Sequence, residues 1–98
     1  MFAVILKATV GSLDQEYAET LEQMKRLAFE EYGCLEFNAM MDGPKRMAIS
    51  YWETEEQIVA WKKNTEHQKT QAKAKQKWYE SYTVQVVEIK REYSFGVE

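Results

Sequence analysis

The stretch CLEFNAMMDGPKRMAISYWE, residues 34–53, lies in the middle of the chain and indicates an antiparallel hairpin. Its apolar side chains alternate with other residues in two runs, Leu35/Phe37/Ala39/Met41 and Met47/Ile49/Tyr51. Between the runs, Gly43 and Pro44 suit a turn, because neither residue fits well in a central strand. We therefore expect two adjacent strands joined by this turn.

On the N-terminal side of the hairpin, the sequence predicts a strand followed by a helix. Residues 2–10, FAVILKATV, are rich in β-branched residues and carry apolar side chains on both parities, so we expect a strand covered on much of both faces. Ser12 suits a helix N-cap, acids crowd the first turn that follows, and Gly33 suits the helix end. The residues at helical spacing between them are Tyr17, Leu21, Met24, Leu27 and Ala28.

On the C-terminal side, the sequence predicts a second helix and a final strand. Thr54 and Gln57 have the spacing of a capping box, which begins a helix. Helix propensity continues to about Ser81, with a break indicated near Asn64. Residues 82–93, YTVQVVEIKREY, then have the composition of a long strand with apolar residues on both parities.

The order strand, helix, strand, strand, helix, strand predicts one α+β domain over residues 1–98. The ferredoxin-like βαββαβ fold, a four-stranded antiparallel sheet with both helices on one face, satisfies this order with right-handed crossovers. Helices on one face leave the other face bare, although the strands carry apolar residues on both parities. We therefore expect a homodimer in which two sheets stack face to face as a dimeric α/β barrel.

Composition and charge exclude several function classes. A net charge of -3 argues against nucleic acid as a partner, because that affinity requires a basic excess. The six lysines of residues 62–77 are expected to form a solvated face rather than an anion site. The single Cys34 forms no internal disulfide and is expected to be inert core, the start lacks signal-peptide features, and no run is long enough to span a membrane. These features predict a soluble cytoplasmic protein with no membrane partner.

Two motifs resemble a known family. YWETEE at residues 51–56, at the end of a strand, and AWKKNTEH at residues 60–67, on the next helix, are similar to the antibiotic biosynthesis monooxygenase family of dimeric α/β-barrel proteins. The resemblance covers nearly the whole chain. It implies a homodimer, a pocket in each subunit between helices and sheet, and, in several branches, cofactor-independent oxygenation of aromatic or quinol substrates.

The branches of the family differ at a few positions of this sequence. The quinol-oxidising branch has a Trp-Glu-Ser and a nearby helix His, which Trp52-Glu53-Thr54 and His67 resemble. The branch that oxidises polyketide phenols has Asn and Tyr where this chain has Ala48 and Ile58, and the haem-degrading branch has an iron-ligating His at position 71, which is Gln here. The resemblance therefore implies quinol chemistry first.

His67 is the candidate catalytic base, because a neutral imidazole accepts a proton near physiological pH. On a helix, His67, Gln71, Ala74 and Trp78 share one stripe. If the stripe faces inward, the predicted substrate pocket consists of Trp52, Trp61, Gln71 and Trp78. If it faces outward, His67 and Gln71 lie on the surface. Independently of the stripe, the alternative for Trp52 and Trp61 is a purely structural role as core or pocket walls.

Two function classes follow from these residues. The first is a cofactor-independent monooxygenase acting on a small aromatic, phenolic or quinol substrate, since a phenolate is reducing enough to pass an electron to oxygen. The alternative is a non-catalytic small-ligand-binding or dimerisation module of the same fold. Both include a small hydrophobic or aromatic ligand or a second copy as partner. We expect no cofactor and no metal, because one His and one Cys cannot assemble a zinc or copper site.

Overall fold

The computed structural model describes residues 1–96, without the side chains of residues 65 and 66. The strands form one antiparallel sheet in the order β2-β3-β1-β4, and the helices cover one of its faces. The elements are β1 (Phe2–Val10), α1 (Gln15–Tyr32), β2 (Glu36–Asp42), β3 (Lys45–Trp52), α2 (Glu55–Lys63), α3 (Thr65–Lys73), a π-helical turn (Ala74–Trp78) and β4 (Tyr79–Glu88). This is the predicted ferredoxin-like α+β fold. None of the described helices is long and apolar enough to cross a membrane.

The central hairpin is confirmed. Asp42 of β2 pairs with Lys45 of β3, and Gly43 in the turn has a φ of 58°, a left-handed conformation that glycine adopts without strain. Strand β3 then presents alternate residues to opposite sides of the sheet. Arg46, Ala48, Ser50 and Trp52 face the helices and are buried, whereas Met47, Ile49 and Tyr51 face the other side.

Helix α1 begins two residues later than Ser12 would place it. The N-cap is Asp14, whose Oδ1 accepts a hydrogen bond of 2.9 Å from the backbone N–H of Tyr17. The prediction of Ser12 as cap was therefore wrong, and Asp14, being closer to the first helical turn, takes that role. Gly33 ends the helix as predicted, with a φ of 79°. The capping box of Thr54 and Gln57 at the start of α2 is also confirmed.

The C-terminal boundaries differ from those predicted. The chain leaves the helical conformation at Asn64, as predicted, but the helical segment ends at Trp78 and not near Ser81. Strand β4 ends at Glu88 and not at Tyr93, because Glu88 pairs with Phe2, the first residue of β1. Beyond that pair, the two segments are joined by the hydrogen bond of 2.9 Å from the backbone N–H of Ile89 to the carbonyl of Met1.

Buried apolar side chains form two clusters under the helices. The Trp52 cluster consists of Val4, Ala28, Cys34, Trp52, Ile58 and Trp61. The Tyr17 cluster consists of Tyr17, Ala74 and Trp78. Within residues 1–96, no helix covers the opposite sheet face, and Met40, Met47 and Val87 are 59%, 38% and 37% exposed. The sheet is thus apolar on both faces, and the helices account for only one of them.

Candidate functional site

A cavity of about 330 Å³ lies between the helices and the sheet. This volume is at the lower end of the roughly 300–1,000 Å³ typical of small-molecule sites. Both clusters contribute to its walls, so one end of the cavity belongs to the Trp52 cluster and the other to the Tyr17 cluster. Its floor is made by apolar side chains of the four strands, including Val4, Leu6, Phe37, Ala39, Ala48 and Val84.

The bend between α2 and α3 positions His67 at the end of the cavity formed by the Trp52 cluster. Asn64, at the bend, accepts a hydrogen bond of 3.3 Å from the backbone N–H of His67 through its Oδ1. The Nδ2 of Asn64 donates to the hydroxyl of Tyr32 on α1 at 3.0 Å, which ties the bend to the neighbouring helix. The imidazole then packs edge-on to the ring of Trp61, with centroids 4.4 Å apart. Local capping thus directs the histidine inward.

The environment of His67 favours the neutral imidazole. Burial and, as the smaller cause, the positive charge of Lys62 together lower its pKa to about 4. At neutral pH the ring is therefore uncharged and has one nitrogen able to accept a proton. Its Nδ1 is buried and has no hydrogen-bond partner among the residues that the structure describes. An unpartnered polar atom in a cavity wall is a point at which a ligand is able to bind.

Trp61 supplies a second unpartnered group at the same end. Its Nε1–H is buried without an acceptor, and its side chain lines the cavity. Trp52 lies behind it, with ring centroids 5.1 Å apart, and donates a hydrogen bond of 2.9 Å from Nε1 to the Oγ of Ser50. Trp52 is fully buried and is not part of the lining, so it supports the wall instead of contacting the space.

The other end of the cavity is rich in hydroxyl and guanidinium groups. The hydroxyls of Tyr17 and Tyr79 are 3.1 Å apart, and the ring of Trp78 packs edge-on to Tyr17 at 5.1 Å. The Nε1 of Trp78 donates to Oδ1 of Asp14 at 3.1 Å, which fixes the indole at the start of α1. The guanidinium carbon of Arg46 lies 5.7 Å from the centroid of the Tyr17 ring.

The predicted stripe on the second helical segment faces inward. His67, Gln71, Ala74 and Trp78 all line the cavity, together with Trp61. Sequence reasoning missed Arg46, Ser50, Tyr17 and Tyr79. For the first two, a signal existed: they share the parity of Trp52 along β3, and that parity marks the helix-facing side.

Two other predicted features lie outside the cavity chemistry. Lys73 and Lys77 bind Glu16 at 2.7 and 2.9 Å on a half-exposed surface, which agrees with a solvated face. Cys34 is buried, and burial raises the pKa of its thiol. Within residues 1–96, no three His, Cys, Asp or Glu side chains are grouped as metal ligands.

Comparison with known families gives a match over residues 1–73 to the antibiotic biosynthesis monooxygenase family. The chain belongs to this family. A curated relative, the uncharacterised protein YqjZ of Bacillus subtilis, is 35% identical over 95 residues, which are 96% of this chain and 83% of the relative. The resemblance that YWETEE and AWKKNTEH indicated is therefore confirmed.

Solved structures with the same fold include other proteins of low identity. SnoaB of Streptomyces nogalater, described as a cofactor-independent oxygenase, has a TM-score of 0.77 at 10% identity, with 93% of this chain and 94% of SnoaB covered. Rv0793 of Mycobacterium tuberculosis has a TM-score of 0.79 at 14% identity, with 95% of this chain and 98% of Rv0793 covered. At these identities the likeness establishes the fold, while the chemistry depends on the cavity of this chain.

Proposed function

We propose that this member of the family is a cofactor-independent monooxygenase that acts on a small phenolic or quinol substrate bound in the cavity. The observation that carries the proposal is His67: a neutral imidazole with an unpartnered Nδ1 in the wall of a largely apolar cavity. Family membership and the oxygenase activity named for SnoaB support the same reaction class. Family membership and the activity named for SnoaB are both consistent with an aromatic ligand bound next to His67 as the base.

In the proposed reaction, His67 accepts the proton of the substrate hydroxyl. The resulting phenolate is electron-rich and passes one electron to dioxygen, and the two radicals recombine at a ring carbon. Loss of water then leaves the quinone, so that one phenol and one O₂ give one quinone and one H₂O. The Nε1–H of Trp61, buried without an acceptor, donates a hydrogen bond to the oxygen that gains negative charge. Trp61 and Gln71 act as walls of the pocket, with Trp52 behind Trp61.

Oxygen uptake tests this proposal directly. Purified protein is mixed with a panel of phenols and hydroquinones, and the rate is compared with that of His67→Ala and Gln68→Ala. Gln68 is the neighbouring residue on α3, is exposed and does not line the cavity, so it serves as the matched control. We expect His67→Ala to lower kcat/KM by roughly 10²–10⁴, the usual value of a positioned acid–base group, and Gln68→Ala to match the parent. Equal rates for parent and His67→Ala would remove the histidine from the mechanism.

The non-catalytic alternative retains one favourable observation, the largely apolar lining of the cavity. A binding module needs such a cavity and no base. Native mass spectrometry that detects a phenol bound to the protein, together with oxygen uptake no faster than the buffer control for every substrate tested, would favour the binding module over the enzyme.

The proposed active form is a homodimer formed through the helix-free sheet face. Ile5, Met47 and Ile49 lie on that face, with partly exposed Met40 and Val87 beside them. A buried area in the obligate class, above roughly 2,000 Å², suits an apolar face of this kind. Sedimentation equilibrium should give a dimer for the parent and a monomer for Ile49→Glu, and a monomeric parent at micromolar concentration would refute the dimer. A cytoplasmic location belongs to the same proposal, and the free thiol of Cys34 suits a reducing compartment.

A further inference from the structure

Arg46 is a buried cation on the helix side of the sheet. Its side chain is 7% exposed, lines the cavity, and shares the helix-facing parity of β3 with Ala48 and Ser50. The guanidinium group lies over the face of Tyr17 at 5.7 Å, a cation–π arrangement that holds the group against the wall. A guanidinium remains charged at every physiological pH. The cavity therefore contains a fixed positive charge at its Tyr17 end.

This charge lacks an anionic partner in the described part of the chain. None of the ion pairs formed among these residues includes Arg46, and its Nε is buried with no hydrogen-bond acceptor. Burying a cation without a counter-charge is strongly unfavourable, so the site is incomplete as it stands. Tyr17 supplies no negative charge, because burial and the adjacent Tyr79 hydroxyl raise the pKa of its phenol. Asp42 has the opposite parity on β2 and faces away from the helices.

The two ends of the cavity carry different chemistry. At one end, Trp61 and His67 offer an unpartnered N–H and an unpartnered imidazole nitrogen. At the other end, Arg46 offers an unpartnered Nε–H and a positive charge. Ser50 accepts a hydrogen bond from Trp52 and so marks the His67 end of the cavity. Arg46 is four residues from Ser50 along β3, and four residues of strand span about 13 Å. The apolar floor between the two ends has room for one or two aromatic rings.

We propose that Arg46 binds a carboxylate of the ligand, so that the substrate class of this enzyme is hydroxylated aromatic acids, with the hydroxyl at His67 and the carboxylate at Arg46. This inference rests on the proposed function, because it requires the cavity to be the substrate site. A carboxylate matches the planar guanidinium with two parallel hydrogen bonds, one of which satisfies the free Nε–H. Lys25 and Lys62 also line the cavity, alongside Glu22, so these three side chains carry an excess of positive charge that favours an anionic ligand over a neutral one.

A pair of ligands that differ only in charge tests the inference. The probes are 6-hydroxy-2-naphthoic acid and its neutral amide, which have the same ring system and nearly the same shape. Their Kd values are measured by isothermal titration calorimetry with the parent, Arg46→Gln, Arg46→Lys and Lys63→Gln. Lys63→Gln is the matched control, because Lys63 is exposed and does not line the cavity, so this variant removes one positive charge outside the proposed site.

We expect the parent to bind the acid roughly tenfold to a hundredfold more tightly than the amide, the range for a hydrogen bond to a charged group. Arg46→Gln should reduce this preference to near one, Arg46→Lys should keep part of it, and Lys63→Gln should keep nearly all of it. If Arg46→Gln does not fold, the acid-to-amide ratio of the parent and of Arg46→Lys still decides the question.

Equal binding of acid and amide by the parent would overturn the inference, as would an acid preference that survives in Arg46→Gln. If neutral hydroquinones are oxidised and the acid has no advantage, only the role of Arg46 is refuted, and the proposed oxygenase activity stands. If neither naphthalene probe nor any neutral phenol binds, the cavity is not the substrate site, and both proposals are refuted. If a carboxylate of the partner subunit neutralises Arg46 in the dimer, the parent will bind the acid and the amide equally.

Discussion

Truncation of Trp52 provides the most direct test of how the interior is built. Trp52 is 0% exposed, packs on Trp61 at 5.1 Å and donates its Nε1–H to buried Ser50. Replacing a buried aromatic residue by Ala destabilises a protein by about 3–5 kcal/mol, and the orphaned Ser50 hydroxyl adds about 1 kcal/mol. For a domain of this size, about 1 kcal/mol shifts Tm by roughly 4–8 °C, so a total loss of at least about 4 kcal/mol in Trp52→Ala should lower Tm by at least about 16 °C.

The measurement is thermal unfolding followed by far-ultraviolet circular dichroism, because loss of a tryptophan alters the fluorescence signal itself. All variants are compared at one protein concentration, since the stability of a dimer depends on concentration. Trp52→Phe keeps most of the ring and isolates the hydrogen bond to Ser50, and Val59→Ala, at a position 43% exposed on α2, is the control for truncation as such. A Tm for Trp52→Ala within about 2 °C of the parent would contradict the packing described for this cluster.

Three further predictions concern the helix ends and the histidine. Because the native pKa of His67, about 4, lies below its unfolded value of 6.5, the unfolded chain binds more protons between these pH values. The Tm advantage of the parent over His67→Ala should therefore shrink as pH falls from 6.5 to 4, and an advantage that stays constant would refute the lowered pKa. Gly33→Ala should cost at least about 1–2 kcal/mol in urea unfolding, because its φ is 79° and a Cβ would lie 2.6 Å from Nε2 of Gln57; full parental stability would contradict this. Thr54→Ala should cost about 1 kcal/mol through loss of the cap, and its effect should be less than additive with Gly33→Ala, since both changes disturb Gln57; additive losses would argue against this coupling.

The order of elements could be predicted from sequence because each boundary had a local chemical signal. The turn at Gly43 and the cap at Thr54 depend on neighbouring residues alone, and both were predicted correctly. The end of β4 depends on a distant partner: the ladder stops at Glu88 because β1 begins at Phe2. Pairing length is a property of two segments, so the alternation in residues 82–93 could not define it.

The candidate site was predictable only in part, for a similar reason. His67, Gln71 and Trp78 were found because they share one helical stripe. Arg46 was overlooked because an arginine near a turn is usually exposed, and only the tertiary packing of Tyr17 over it reveals its burial. The low pKa of His67 also follows from burial, which no sequence pattern specifies.

The cavity between the Trp52 and Tyr17 clusters has a consequence for how the molecule opens. The cavity separates the two clusters, which are joined through the sheet and through helix α1, so their local opening free energies are free to differ. Amide protons in the first turn of α1 and in the π-helical turn then exchange independently of those in α2. A ligand that contacts both clusters links them into one cooperative unit, and exchange at both ends slows together. In this protein, the cooperativity of unfolding should therefore increase with the fraction of molecules that have ligand bound.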